Sequence, residues 1–264
     1  MNYWLIPTLL LGFGLYAMGI LAGQRFSGWR LYSISAIGLL AALPGAVFVA
    51  YYFKVLGEPI WLYEFRSLPG SELAAAGAGF LAGCLHGRFS TSARFRTIVG
   101  NRLFAILLFF GLIGPYVKPL LLPPRWSQFE DRWSDGVCLQ TSESSCGPAC
   151  AATLLRQLGQ PASEKEIARE SYTSRHGTEN WYLARALRRH GAPVQFILQT
   201  DASQPWPCPA IAGVRLGESG HFITILRCQG DKYVIGDPLG GQHAQSQADW
   251  RNVYQFTGFF LVVK

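Results

Sequence analysis

Cys146 stands in a setting that can make sulfur a nucleophile. Ser144, Ser145 and Gly147 surround it with small, turn-favouring residues, and an Ala/Leu-rich run continues to Gly159, so the spacing predicts a helix that starts at Cys146. The positive end of a helix dipole favours a thiolate, and a neighbouring imidazolium favours it further. Gln140, upstream of Cys146, can bring its side-chain amide beside the sulfur. With the Cys146 backbone N–H it would supply two donors to a tetrahedral oxyanion, each stabilising it by roughly 3 kcal/mol. Farther along, His221 opens an alternating β-branched run to Leu226, and Asp237 closes a second strand that follows a turn at Asp231 and Lys232. Antiparallel strands joined so tightly set Asp237 beside His221, where a carboxylate holds the imidazole tautomer and stabilises its protonated form. The chemistry of such a set is acyl transfer through a thioester: Cys146 attacks, His221 moves the proton and Asp237 orients the ring.

Ordinary readings account for the other candidates. Cys150, one helical turn after Cys146, and Cys138, which lacks a helix start, read as packed small residues; His176, His190 and His243 read as solvent-facing, and Asp201 and Asp231 as turn residues. Gly147 and Gly220 flank the nucleophile and the histidine as candidate substrate contacts. Trp181, on a helix expected after Gly177 and Thr178, is a candidate groove residue whose alternative is the core. The six cysteines, Cys84 among them, contain no CxxC pair and no zinc-type Cys/His spacing. No metal and no cofactor is expected. Setting aside Cys84, in an apolar run, and Cys146 leaves Cys138, Cys150, Cys208 and Cys228, enough for up to two disulfides whose pairing stays open.

These residues all lie beyond a sharp change in composition. Residues 1–122 are dominated by apolar runs, whereas 123–264 have the mixed composition of a water-soluble domain. Four transmembrane helices are expected, over about 3–21, 31–53, 71–87 and 103–122, the third being the weakest because its uninterrupted apolar core is short for a hydrocarbon layer of about 30 Å. Pro44 is expected to kink the second. Gly19 with Gly23, and Gly79 with Gly83, have the four-residue spacing that lets membrane helices approach closely. Arg25 and Arg30 in the first loop and Arg88, Arg94, Arg96 and Arg102 in the third outweigh the second, where Lys54 and Arg66 face Glu58, Glu64 and Glu72. Basic loops stay inside, so the C-terminal domain is expected on the periplasmic or extracellular side of a bacterial cytoplasmic membrane, with lipid as the partner of the N-terminal half. The net charge of +7 forms no basic stripe interleaved with aromatics, and nucleic acid is not an expected partner.

Gln140, Cys146, Gly147, Ala149, Gly159, the strand starting at His221 and the Asp237-Pro238 pair together resemble the cysteine and histidine motifs of the C39 peptidases, which process double-glycine bacteriocin leaders. Gly177-Thr178 and the run to His190 and Gly191 are similar to the middle section of that family. The resemblance covers about 135–264 and implies an α+β papain-like cysteine peptidase fold behind the helical anchor. It further implies Cys146, His221 and Asp237 as the catalytic set, Gln140 as the oxyanion residue, and a peptide or protein substrate cut after Gly-Gly. Three features depart from the family. Ser145 and Thr153 stand where it often has an acidic residue and a methionine, and this chain carries no Walker A motif of the exporter that members usually precede, so any transporter would be a separate partner. The same catalytic set also serves amidases, transpeptidases and acyltransferases, and a non-enzymatic peptide-binding or regulatory module is the third reading.

Overall fold

The structure, a computed structural model, describes residues 3–57, 59–91, 103, 106–109, 114, 118–201 and 203–264. In chain order its helices are α1 (Leu5–Arg25), α2 (Gly28–Tyr52), α3 (Ile60–Ser67), α4 (Gly77–Thr91), α5 (Cys146–Gln157), α6 (Glu164–Glu170), α7 (Asn180–Arg189) and α8 (Gln247–Val253). The strands are β1 (Arg132–Ser134), β2 (Val137–Leu139), β3 (Val194–Leu198), β4 (Ala210–Leu216), β5 (Ser219–Gln229), β6 (Lys232–Asp237), β7 (Gly241–Ser246) and β8 (Gln255–Val263). The chain divides into two compact units, one of Asn2–Pro59 with Pro69–Lys118, the other of Ile60–Leu68 with Pro119–Lys264.

In the helical unit, α1 and α2 are 21 and 25 residues long, and each is long and apolar enough to cross a membrane. Pro44 lies inside α2 without ending it. The expected third span is a 3₁₀ turn, Ser71–Ala76, followed by the 15 residues of α4. Ile60–Ser67 and Ser71–Thr91 reach the composition of a span only when taken together, so the described residues hold two or three such helices and not four. Within the expected fourth span, 103–122, residues 104–105, 110–113 and 115–117 lie outside the described residues, as do Glu58, Arg94, Arg96 and Arg102.

The glycine spacing in α1 and α4 has a direct structural meaning. A Cβ added to Gly79 would lie 2.1 Å from the Gly12 carbonyl oxygen, one on Gly83 2.1 Å from that of Tyr16, and one on Gly87 2.2 Å from that of Ile20. From the other side, Gly19 and Gly23 would each meet an α4 carbonyl oxygen at 2.3 Å. Neither helix has room for a side chain along this seam, and backbone approach is what holds it. A hydrogen bond between the Tyr16 hydroxyl and His86 Nδ1 joins the same pair of helices.

The other unit is built on a six-stranded antiparallel sheet in the order β3-β8-β4-β5-β6-β7. Period-two alternation separates its faces. Thr224 of β5 faces α5, donating to the Cys150 carbonyl oxygen. On the opposite face, Ile223, Ile225, Ala212, Val214, Ile235 and Phe260 pack with Trp250 of α8 and with Trp206. A separate hairpin, β1–β2, turns through Asp135 and Gly136, both at positive φ, which suits an Asp-Gly turn.

Helix α3 corrects the boundary expected between 122 and 123. It packs on α7 and β3 of the sheet unit, with the Tyr63 ring against Trp181, Phe196 and Phe259 at centroid distances of 6.1, 5.6 and 5.7 Å. Arg185 of α7 caps its C-terminal end: Nη2 donates to the Arg66 and Leu68 carbonyl oxygens at 2.7 and 2.6 Å, and Nε to that of Ser67 at 3.2 Å. The last carbonyls of a helix have no intrahelical partner and carry its negative end, so a guanidinium there answers both needs.

Gly83→Leu is expected to force α1 and α4 apart and to lower stability by about 1–3 kcal/mol, read as thermal unfolding of the full chain in detergent. Gly14→Leu is the control, because a Cβ there meets nothing within 4 Å.

Candidate active site

Cys146 is the first residue of α5, and the loop before it is closed by its own side chains. Ser145 Oγ donates to the Ser142 carbonyl oxygen at 2.8 Å and accepts from the Ser142 N–H at 3.1 Å. Ser145, where the resembling family often carries an acid, is thus a buried loop staple. The Thr141 N–H and hydroxyl both donate to the buried Glu164 carboxylate, at 2.9 and 2.5 Å. Glu164 opens α6, and nothing in its sequence setting marked it as a support for this loop. Pro148, in the first turn of α5, needs no intrahelical donor there. Gly147 is buried, and a Cβ on it would make ordinary contacts with Phe222, Leu183 and Thr178 at 3.4 to 3.5 Å.

Gln140 is tied to the end of β6 by its N–H, which donates to the Pro238 carbonyl oxygen at 3.0 Å. Its side-chain Nε2 donates to the Ser142 carbonyl oxygen at 3.1 Å, and its buried Oε1 has no partner among the described residues. One hydrogen bond uses one of the amide's two N–H groups, so the second remains as a donor.

His221 and Asp237 meet because of one extra residue. Near the turn, β5 and β6 pair as Gln229↔Lys232, Cys228↔Tyr233 and Arg227↔Val234; beyond it they pair as Ile225↔Ile235 and Thr224↔Gly236, leaving Leu226 as a bulge. Carried on, the first register would set Asp237 opposite Thr224, on the face away from His221. The second sets it opposite Ile223, which shares a face with His221. The bulge thereby turns the carboxylate to the ring. Gln157, the last residue of α5, donates to the Leu226 carbonyl oxygen at 2.9 Å and pins that bulge.

His221 Nε2 lies 2.8 Å from Asp237 Oδ1, both side chains being buried. The Cys146 side chain also acts on the ring, favouring its proton. Burial works against the His221 proton, but the bond to Asp237 and the influence of Cys146 outweigh it and raise the ring to about 9. Burial likewise works against the Asp237 charge, and hydrogen bonds outweigh it again, holding the carboxyl below its ordinary value. They come from His221, from the Tyr254 hydroxyl at 2.5 Å and from the Leu239 N–H at 2.9 Å.

Residues 134–264, which contain this site, match the peptidase C39 family. A protein of Methanothermobacter marburgensis is 32% identical over 130 residues, which make up 48% of this chain and 87% of that protein. This chain belongs to the peptidase C39 family. The lactococcin-G-processing and transport ATP-binding protein LagD of Lactococcus lactis is 23% identical over 134 residues, covering 48% of this chain but 18% of LagD. Among solved structures, a double glycine motif protease from an AMS/PCAT transporter, in complex with its leader peptide, is 19% identical, with a TM-score of 0.42 over 52% of this chain and 95% of that one.

Elsewhere in the C39 unit the expectations divide. Trp181 is no groove wall: it is 1% exposed, beneath Tyr63 and the Arg66 guanidinium, which lies 5.5 Å from its ring centroid. Gly220 is exposed at the start of β5, with no neighbour where a Cβ would point. Cys208 and Cys228 form a disulfide between β4's approach and β5, Cα atoms 6.3 Å apart. Cys138 and Cys150 are buried free thiols, and burial pushes both up from the ordinary thiol range. Cys146 is the one free cysteine that is not buried among the described residues. The grouping with metal-ligand chemistry is Glu166, Glu170 and His190, ligand atoms within 4.8 Å of one another; within it His190 Nε2 lies 3.1 Å from Glu170 Oε2, so the expected solvent-facing histidine is an ion-pair partner when protonated.

Tyr254 was not singled out in the sequence, since an isolated tyrosine before an apolar strand reads as core. Tyr254→Phe removes one bond to a buried carboxylate, worth about 1.5–3 kcal/mol. It is expected to lower stability by that amount and to raise the Asp237 pKa towards its ordinary value, because the Tyr254 hydroxyl is one of the bonds that lower it. A depressed carboxyl stabilises the fold above its unfolded value and loses that contribution as the pH falls, so acid unfolding of the variant should begin at higher pH, as urea titrations across pH 2–6 would record.

Proposed function

We propose that the chain is a membrane-anchored cysteine peptidase that removes a leader or similar segment from a peptide. One observation carries this reading: the His221 ring is hydrogen-bonded to Asp237 and has the helix-starting Cys146 near enough to favour its proton. The Cys146 sulfur attacks the scissile carbonyl carbon. The oxyanion so formed takes hydrogen bonds from the Cys146 backbone N–H, which has no intrahelical acceptor, and from the second N–H of Gln140. As the C–N bond breaks, His221 gives its proton to the leaving amine, and a thioester remains on sulfur. Water then attacks the thioester, giving a proton to His221 and freeing the acid and the Cys146 thiolate. Asp237 keeps Nε2 protonated throughout and stabilises the imidazolium, and Gly220 leaves open backbone next to His221.

Membership of the C39 family and the processing role in LagD's name support a peptide substrate, with a cut after Gly-Gly. Helices α1 and α2 support the anchor, and a transporter would be a separate partner. The Cys208–Cys228 disulfide supports an oxidising compartment, because cytosolic thiols are kept reduced. That agrees with a site on the periplasmic or extracellular side.

Cys146→Ala in the full chain is expected to reduce cleavage of a Gly-Gly-containing peptide by at least about 10³-fold, and equal turnover by variant and wild type would defeat the proposal. His221 holds its proton to about 9, so kcat/KM should fall as the pH rises through that value. The same raised pKa makes its contribution to stability complete below 6.5 and lost as the pH climbs through about 9. For the compartment, Cys208 and Cys228 in membranes prepared without reductant should react with maleimide only after dithiothreitol; direct labelling of both would place the domain in a reducing compartment.

A further inference from the structure

Helix α3 is apolar on two sides, and the C39 unit accounts for one of them. Leu62, Tyr63, Arg66 and Ser67 are buried. Both charged residues of the helix are engaged with α7: Glu64 Oε2 lies 3.2 Å from Arg188 Nη2, and the Arg66 guanidinium, 1% exposed as a residue, donates to the Tyr182 hydroxyl at 3.1 Å. Arg188 Nη1 also donates to Ser67 Oγ at 2.6 Å. Outward, at the spacing of one helical stripe, stand Trp61, Phe65 and Leu68, at 59%, 36% and 55% exposed. A helix on the surface of a water-soluble domain turns its charges to solvent and its apolar stripe inward. Here the charges pair with the domain and an uncharged aromatic stripe faces out.

We propose that this stripe rests on a lipid bilayer, so that α3 is an interfacial helix seating the peptidase unit on the membrane surface. The inference rests on the membrane-anchor reading and goes beyond it, by naming a second, non-spanning contact. Two observations choose lipid over another occupant. Ile60 follows Tyr52, the last residue of α2, after only residues 53–59, a stretch reaching roughly 30 Å at full extension; the stripe is therefore tethered close to wherever α2 leaves the hydrocarbon. Its composition is also the one interfaces select, a tryptophan with a second aromatic and a leucine and no exposed charge among them. Arg185 and Arg188, gripping the inner face and the C-terminal end, transmit that seating to α7 and so to the C39 unit. A substrate cleft held at a fixed height above lipid would meet peptides that are themselves membrane-bound or emerging from a membrane.

The test is tryptophan fluorescence of the full chain, reconstituted into phosphatidylcholine vesicles with either ordinary or acyl-chain-brominated lipid. Wild type is compared with Trp61→Phe, a substitution that keeps an aromatic on an exposed position. Trp4 and Trp29, at the starts of α1 and α2, report insertion of the anchor independently. The expected result is that the difference emission, wild type minus variant, falls at least twofold in brominated vesicles. If that difference is unattenuated while the remaining emission is quenched, the anchor stands and the seating of α3 is overturned. If neither component is quenched, the anchor reading fails and the inference with it.

Discussion

A carboxylate that must stay charged out of water governs this molecule. Removing Asp237 from solvent costs several kcal/mol unless its charge is met by well-placed donors. The protein meets it with a ring N–H from β5, a hydroxyl from the junction of α8 and β8, and a backbone N–H just past β6. Each donor arrives from a different segment, so the charged state of Asp237 depends on the sheet being closed across β8, β4, β5 and β6. That charge in turn holds a proton on His221 against its own burial. The electrostatics of the site are thus a property of the assembled sheet and not of a local motif.

The geometry has one further dependence, on α5. Its first residue is Cys146 and its last is Gln157, about 16 Å apart along the axis at 1.5 Å per residue. The first presents sulfur to His221; the last holds the Leu226 bulge that decides which face Asp237 occupies. One helix therefore carries the Cys146 sulfur at one end and bears on the position of the carboxylate at the other, through strand register. A bulged residue steps out of the ladder, and the Gln157 side chain supplies a donor to its carbonyl.

What could be read in the sequence follows from how local each signal is. Cys146 with its helix start, His221 at a strand head and Asp237 after a tight turn are each marked by neighbours within a few residues, and the structure brings the three together. The glycine spacing of α1 and α4 was legible for the same reason, since close helix contact demands the same small residue every turn. Tyr254 and Glu164 were not legible. Their partners, Asp237 and Thr141, lie 17 and 23 residues away in sequence, and neither tyrosine nor glutamate is unusual where they stand. Trp181 was left between groove and core because part of its cover comes from α3, a segment that composition assigned to a membrane loop. The weak span around Leu73 to Leu85 shows the opposite effect: an apolar run was present, but the small residues that let α4 pack so closely also leave it short and entered by a 3₁₀ turn.

Three of the chain's 23 basic residues are committed to contacts inside the C39 unit. Arg66, Arg185 and Arg188 count toward the net charge of +7, yet each donates hydrogen bonds inside the C39 unit: Arg66 to Tyr182, Arg185 to the end of α3, and Arg188 to Ser67 and to the Val194 carbonyl oxygen. Arginine suits such positions because its planar fork reaches several acceptors at once and its weakly hydrated guanidinium stacks on aromatic faces, as Arg66 does on Trp181 and Tyr182. Lysine in their place would keep the formal charge and lose the multiple contacts. Arg185 and Arg188 are in this way joints between α3 and the rest of the C39 unit, the first donating to the carbonyl oxygens at the end of α3 and the second pairing with Glu64.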